Sequence, residues 1–210
     1  MTINTIILGD FQTNCYVLRT DAQASECVII DAGLSPEPLE DFLEENDLTP
    51  AAVLLTHGHV DHIAGLNMLR QRWGSITVAI HADDATMLTN PLRNLSIMTG
   101  IPFSSEAAEV VFDKEESIEY AGLRFQVLHT PGHTPGGICL YCPRERIVFA
   151  GDALFAGSVG RTDFPGGNYD QLIESIREKL LTLPDDTTVY TGHGPSTTIA
   201  DEKQANQYLV

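Results

Sequence analysis

The sequence predicts a mixed α/β protein made of two packed β-sheets with helices on their outer faces. Short apolar runs alternate with amphipathic helical segments, and residues that could bind a metal follow strands in both halves of the chain. An element that is apolar on one face must bury that face, so this mixture favours helix, sheet, sheet and helix in layers. The 210 residues, 43% of them hydrophobic, suffice for one core, and we expect a single domain over residues 1–210.

Apolar and β-branched residues form short runs that predict strands. These runs are Thr5–Leu8, Cys15–Arg19, Cys27–Asp31, Val53–Thr56, Thr77–Ile80, Leu123–Leu128, Ile138–Tyr141, Ile147–Ala150 and Thr188–Thr191.

Between the strands, capping residues and apolar spacing predict helices. Ser35 as N-cap, followed by Pro36, indicates a helix that continues through Asn46, and Asp61-His62 begin another. Tyr169–Leu181 is a third, whose apolar face contains Leu172, Ile173, Ile176 and Leu180. The least regular segment, Asn90–Ser105, is interpreted as a mobile loop or lid.

The segment Thr56–His62 places four possible metal ligands, His57, His59, Asp61 and His62, directly after a strand. Imidazoles and carboxylates bind Zn²⁺ and other first-row divalent ions, and one tetrahedral site would rarely need all four ligands from so short a segment. The spacing therefore predicts two metal ions.

His57-x-His59-x-Asp61-His62 resembles the signature of the metallo-β-lactamase superfamily, and three later loops supply matching residues. The resemblance implies an αββα sandwich with two divalent ions at one edge of the sheets, zinc being the first expectation and iron or manganese the alternatives. It implies these ligands: His57, His59 and His133 for one ion, Asp61, His62 and His193 for the other, and Asp152 between them.

Such a site predicts a metal-dependent hydrolase, because a hydroxide between two divalent ions is a nucleophile at neutral pH. Asp152 and Asp61 are the expected catalytic carboxylates, the first as the bridge and the second as a proton carrier. A thioester suits the site, since a thiol with a pKa of about 8.5 leaves without a general acid.

The loop Gly151–Phe164 resembles that of the glyoxalase II-like branch, the hydroxyacylglutathione hydrolases. In the full-length members of that branch a lysine at the position of Arg161 binds the glycine carboxylate of glutathione, so Arg161 is the expected substrate contact here; a salt bridge to Asp163 is the alternative. The ending after His193 resembles the short bacterial type without a C-terminal helical domain. We therefore expect a more open pocket, a weaker grip on glutathione and a wider range of thioesters.

Other activities remain open on the same motifs. Persulfide dioxygenases share the fold and the Gly160–Phe164 loop but hold a single iron, and a lactonase is a further alternative. A non-catalytic scaffold is least favoured, because no ligand position is lost.

The composition argues against nucleic acid and a membrane as partners, so we expect a small-molecule substrate. A net charge of −17 with only 12 Lys and Arg residues argues against nucleic acid. No apolar stretch reaches membrane-spanning length, and the N-terminus lacks a secretory pattern, so we expect a cytoplasmic protein. Cys139 and Cys142 are interpreted as structural thiols, and His81 and His129 as residues outside the metal set. The sequence indicates no oligomeric state.

Overall fold

The chain forms an αββα sandwich, and the structure, a computed structural model, describes residues 1–74 and 76–209. The strands are β1 (Thr2–Leu8), β2 (Thr13–Arg19), β3 (Glu26–Ile30), β4 (Thr49–Leu54), β5 (Thr77–His81), β6 (Val110–Phe112), β7 (Ser117–Tyr120), β8 (Leu123–His129), β9 (Ile138–Cys142), β10 (Ile147–Gly151), β11 (Leu154–Phe155), β12 (Ser158–Val159), β13 (Thr188–Thr191) and β14 (Thr197–Thr198). The α-helices are α1 (Glu37–Glu45), α2 (Val60–Ile63), α3 (Leu66–Trp73), α4 (Tyr169–Ser175) and α5 (Ile199–Ala205).

Two mixed sheets form the middle layers. The first has the order β1-β2-β3-β4-β5-β6, antiparallel as far as β3 and parallel from there. The second has the order β14-β13-β10-β9-β8-β7, in which only β10 and β13 are parallel. The strands β11 and β12 form a separate hairpin.

The hydrophobic core has three layers, because successive side chains of a strand point to opposite faces of its sheet. In β3, Val28 and Ile30 pack between the two sheets, while Cys27 and Ile29 face the helices of the first sheet. In β9, Leu140 likewise lies between the sheets. The outer face of the second sheet joins Cys139, Tyr141 and Val148 to Leu172, Ile173, Ile176, Leu180 and Ile199.

The predicted strands are all present, but edge elements and helix details differ from the expectation. β6, β7 and β14 are short edge strands whose sequences lack a long apolar run. Ser35 has a left-handed φ of 52° and does not cap α1, whose N-cap is Pro36 without a side-chain hydrogen bond. The prediction of a Ser35 cap was therefore wrong by backbone geometry.

Two predicted helices are interrupted. The helix after His59 is divided into α2 and α3 at Gly65, whose amide donates to the carbonyl of Ala32 at 2.8 Å. A Cβ at Gly65 would lie 3.1 Å from that carbonyl oxygen, so the close approach depends on glycine. The segment predicted as one helix over Tyr169–Leu181 is α4 followed by a π-helical turn, Ile176–Leu180, and its four predicted apolar residues are buried.

The loops that follow β4, β8, β10 and β13 lie together at one edge of the sandwich. Backbone hydrogen bonds join the two sheets at this edge. The amide of Ile138 donates to the carbonyl of Thr56 at 2.8 Å, and the amide of Asn14 donates to the carbonyl of Gly192 at 2.8 Å. None of the helices in the described residues has the length and apolar character that a membrane crossing requires.

Candidate metal centre

The seven residues predicted as ligands lie together at this edge. His57 and His59 lie in the loop between β4 and α2, and Asp61 and His62 lie in α2. The β8–β9 turn supplies His133, the end of β10 supplies Asp152, and the end of β13 supplies His193. Three sets have ligand atoms within 4.8 Å of one another: His57, His59 and His133; His57, His62 and Asp152; and Asp61, His62 and His193.

Asp152 lies between the two histidine groups. Its Oδ2 is 3.6 Å from Nε2 of both His133 and His193, and its Oδ1 is 3.4 Å from Nε2 of His62. Asp61 Oδ2 is 3.3 Å from His193 Nε2 on the cleft side. This geometry has the form that the resemblance implies, while the binding of metal by these residues stays a prediction.

Glycines let the ligand loops approach one another. A Cβ at Gly192 would lie 2.0 Å from Asp152 Oδ1, and one at Gly151, whose φ is +49°, would lie 2.4 Å from Thr56 Oγ1. Any side chain at Gly192 would displace the carboxylate, so the chain can place His193 beside Asp152 only with glycine there.

Hydrogen bonds to backbone carbonyls orient the rings of His133 and His193 on the side away from the cluster. His133 Nδ1 donates to the carbonyl of Arg161 at 2.7 Å, and His193 Nδ1 donates to that of Phe11 at 2.9 Å. Because a carbonyl oxygen only accepts, the proton is on Nδ1 and each Nε2 faces the cluster. Such bonds orient imidazoles in metal sites and raise their basicity.

The polar atoms of the cluster fit a divalent cation. His57 Nε2 and Asp152 Oδ1 are buried without a hydrogen-bond partner, although buried polar groups are almost always satisfied. His59 Nδ1 and His133 Nε2 point at each other 3.0 Å apart. Nitrogen and carboxylate donors of this kind are the ligands that Zn²⁺ and similar ions take.

The electrostatics favour neutral imidazoles on one side of Asp152 and positive charge on the other. Burial and the neighbouring His133 lower the pKa of His59 to about 3. Burial also lowers the pKa of His193, but its contacts with Asp152 and Asp61 outweigh that effect and raise it to about 10. Burial raises the pKa of Asp152, yet His62 and His193 hold it well below the usual range. Anionic carboxylates here attract a proton or a metal cation.

Two buried carboxylates that position this cluster were missed in the sequence. Asp31 accepts hydrogen bonds from the Thr56 amide at 2.8 Å and the Thr56 hydroxyl at 2.7 Å, and its Oδ2 is 2.8 Å from His62 Nδ1. The signal was an acid at the end of an apolar strand, in Asp31-Ala32-Gly33. The predicted strand Cys27–Asp31 includes it only as the last residue.

Asp84 is the second missed carboxylate. It accepts hydrogen bonds from the amides of Gly58 at 3.1 Å and Gly136 at 2.7 Å, and from the hydroxyl of Thr134 at 2.7 Å. It thus joins the His57–His59 loop to the His133 loop. No spacing in the sequence distinguishes it from its neighbour Asp83.

A cleft of about 710 Å³ opens onto the cluster. Besides the metal-ligand candidates, its walls are mainly apolar: Phe11, Val60, Leu95, Met98, Phe155, Val159 and Phe164. Leu95, Met98 and Thr99 come from the segment predicted as a loop or lid, which is largely irregular and includes a 3₁₀ turn over Ser96–Thr99.

Arg161 lines the same cleft but is paired. Its Nε and Nη2 donate to the two carboxylate oxygens of Asp163 at 2.9 and 2.7 Å, and its guanidinium lies 4.2 Å from the ring centre of Phe164. The alternative salt bridge to Asp163 is therefore present, and a role of Arg161 in substrate binding stays a prediction.

Comparison with known proteins agrees with this site. The profile of the metallo-beta-lactamase superfamily matches residues 8–193. The chain belongs to the metallo-β-lactamase superfamily. Within it, the chain is 39% identical to the hydroxyacylglutathione hydrolase GloC of Haemophilus influenzae, over 100% of this chain and 98% of that protein.

Solved structures of the metallo-β-lactamase fold superpose closely. The B3 metallo-beta-lactamase BLEG-1 has a TM-score of 0.94 and 41% identity, with both chains covered completely. TTHA1623, solved in a di-iron-bound form, has a TM-score of 0.84 and 36% identity, covering 98% of this chain and 100% of its own. These similarities support a metal-dependent hydrolase.

Proposed function

We propose that this protein is a hydrolase of thioesters that uses two divalent metal ions, with an S-hydroxyacylglutathione as the expected substrate. The observation that supports it best is the complete set of seven converging ligand candidates beside an open cleft. Full-length similarity to a hydroxyacylglutathione hydrolase adds support for the substrate. Zinc is the first choice of metal, and iron or manganese would fit the same donors.

A divalent ion, when bound, lowers the pKa of water to about 7 and polarises a carbonyl oxygen. His57, His59 and His133 would hold one ion; Asp61, His62 and His193 would hold the other; and Asp152 would contact both. The hydrogen bonds of His133 Nδ1 and His193 Nδ1 hold the Nε2 atoms of both rings toward the cluster, where they could bind an ion without rearrangement.

Asp61 is the carboxylate best placed to accept a proton during hydrolysis. Its side chain lines the cleft, and Oδ2 lies 3.3 Å from His193 Nε2. Burial raises the pKa of Asp61, but His62 and His193 outweigh burial and lower it, so the group is ionised at neutral pH. The departing thiol needs no protonation, because it leaves readily as a thiolate.

The test combines metal analysis with two assays. Metal per chain is measured by elemental analysis, and the protein is assayed with S-lactoylglutathione and with glutathione persulfide, each with and without oxygen. We expect at least about two ions per chain and thioester cleavage that is independent of oxygen. Oxygen consumption with the persulfide and no thioester cleavage would instead identify the dioxygenase that shares the Gly160–Phe164 loop. A lactone in a third assay tests the lactonase.

A further inference from the structure

A second cluster of possible metal ligands lies outside the candidate metal centre. His81 is the last residue of β5 in the first sheet, His129 is the last residue of β8 in the second, and Asp83 follows His81 by two positions. One ligand atom from each lies within 4.8 Å of the other two. We call these three residues the sheet-end triad.

The two imidazoles of the sheet-end triad are stacked and leave nitrogens available. Their ring centres are 4.0 Å apart with an angle of 12° between the planes. His129 Nε2 lies 3.0 Å from the carbonyl of Pro135, so it carries the proton and Nδ1 keeps a lone pair. His81 Nδ1 accepts only a long 3.3 Å bond from the Asp83 amide.

The charges around the triad favour a cation. Asp83 Oδ2 is 3.7 Å from His81 Nδ1, and Asp113 is a second carboxylate close enough to act on His81. Glu115 accepts a 3.3 Å hydrogen bond from the His129 amide, but Lys179 balances its charge through a 2.8 Å salt bridge. Asp83 and Asp113 therefore carry the negative charge at the triad. Burial and the neighbouring His129 lower the pKa of His81 in spite of these carboxylates, which leaves its imidazole neutral and able to bind a metal.

We propose that His81, Asp83 and His129 form an additional binding site for a divalent transition-metal ion such as Zn²⁺. Ligand atoms in a tetrahedral zinc shell are about 3.3 Å apart, given bonds of about 2.0–2.1 Å. The 3.7 Å between His81 Nδ1 and Asp83 Oδ2 needs only a small adjustment of the Asp83 side chain, which is 58% exposed. The two stacked rings must also tilt toward each other, because the lone pair of an imidazole nitrogen lies in the ring plane.

An ion at the triad would join the two sheets where both contribute to the active edge. Asp84, directly after Asp83, accepts the amide hydrogen bonds of Gly58 and Gly136 in the two ligand loops. Metal that binds only the folded state stabilises it. The ion would therefore raise thermal stability, and it would hold the loops of the candidate metal centre without contacting substrate.

The experiment counts metal in matched variants. Wild-type protein, Asp83→Asn, His129→Gln and Asp113→Asn are equilibrated against the same low micromolar Zn²⁺, and bound zinc per chain is measured by elemental analysis. Asp113→Asn is the control, since it removes a nearby charge but no ligand of the triad. We expect Asp83→Asn and His129→Gln to hold one ion fewer per chain than wild type and Asp113→Asn. Their melting temperatures should also respond less to added zinc.

Two results would overturn the triad as a metal site. Equal zinc in all four proteins would show that it binds none, and an equal loss in Asp113→Asn would show that charge alone attracts the ion. Circular dichroism checks that each variant is folded. The test compares zinc per chain between variants, so its outcome does not depend on thioester hydrolysis. Thioester hydrolysis is assayed separately on the same samples.

Discussion

His62 Nδ1 lies 2.8 Å from Oδ2 of Asp31, and the same oxygen accepts the Thr56 hydroxyl proton at 2.7 Å. Thr56 Oγ1 is in turn 3.1 Å from His57 Nδ1. One carboxylate therefore orients an imidazole from each of the two proposed ligand groups, and it is almost fully buried. The position of these rings depends on a residue that touches neither the cleft nor the proposed ions.

Asp31→Ala is expected to weaken metal binding without removing a ligand. Loss of such an orienting partner typically costs 10–100-fold in metal affinity, and the Thr56 amide and hydroxyl would lose their acceptor, at about 1–3 kcal/mol of stability. Competition with a chelator measures the affinity, and denaturant unfolding measures the stability. Asp41→Ala, at an exposed position of α1, is the control. Wild-type metal affinity in Asp31→Ala would contradict this role.

Asp152→Ala is expected to abolish most hydrolysis and to release at least one ion. It removes the carboxylate that lies between the two histidine groups. Asp152 is not a member of the three hydrophobic core clusters, so the fold should be retained. Elemental analysis, initial rates and far-ultraviolet circular dichroism follow the three consequences. Wild-type turnover at full metal content would show that the two-ion mechanism is wrong.

The cysteines are expected to be unreactive in the native protein. All four are free and buried, and burial raises the pKa of Cys27, Cys139 and Cys142 to about 12. The thiolate fraction at pH 8 is then roughly 10⁻⁴, against about a quarter for an exposed thiol of pKa about 8.5. Titration with an aromatic disulfide reagent should detect four thiols only in denaturant. A fast native phase would contradict the burial.

Local patterns indicated two packed sheets with ligand candidates at the strand ends, and the resemblance to a known family implied the αββα sandwich and the set of seven side chains. Apolar runs determine the strands, and a ligand directly after a strand must lie at the edge where that strand ends, as His193 and Asp152 do. Asp31 and Asp84 were missed because their partners lie far along the chain, at His62 and Gly136, and no local pattern encodes such a bond. The break at Gly65 likewise depends on the close approach of Ala32.

The apolar wall of the cleft is expected to favour thioesters with apolar groups. Met98 lines the cleft with 71% of its surface exposed, whereas Ile101, on the same segment and 77% exposed, does not line it. Met98→Ser should raise KM about three- to tenfold for a long-chain acyl thioester, because about 0.8 kcal/mol is lost per buried methylene contact, and should change a short-chain thioester little. Ile101→Ser is the matched control. Equal effects of both variants on KM would contradict a contact between Met98 and the acyl group.

Arg161 and Asp163 provide the test of carboxylate recognition. The guanidinium that would bind a carboxylate of glutathione already binds Asp163 through two hydrogen bonds, so substrate and Asp163 compete for one planar group. Arg161→Ala should raise KM for a glutathione thioester more than it lowers kcat, the pattern of lost uniform binding. Asp163→Asn should lower KM for the same substrate, since it frees the guanidinium, and both variants should leave a thioester of an uncharged thiol unaffected. Steady-state kinetics on the two substrates separate these effects. If Arg161→Ala changes neither constant on the glutathione thioester, the pair is only a surface contact and the cleft recognises its substrate without Arg161.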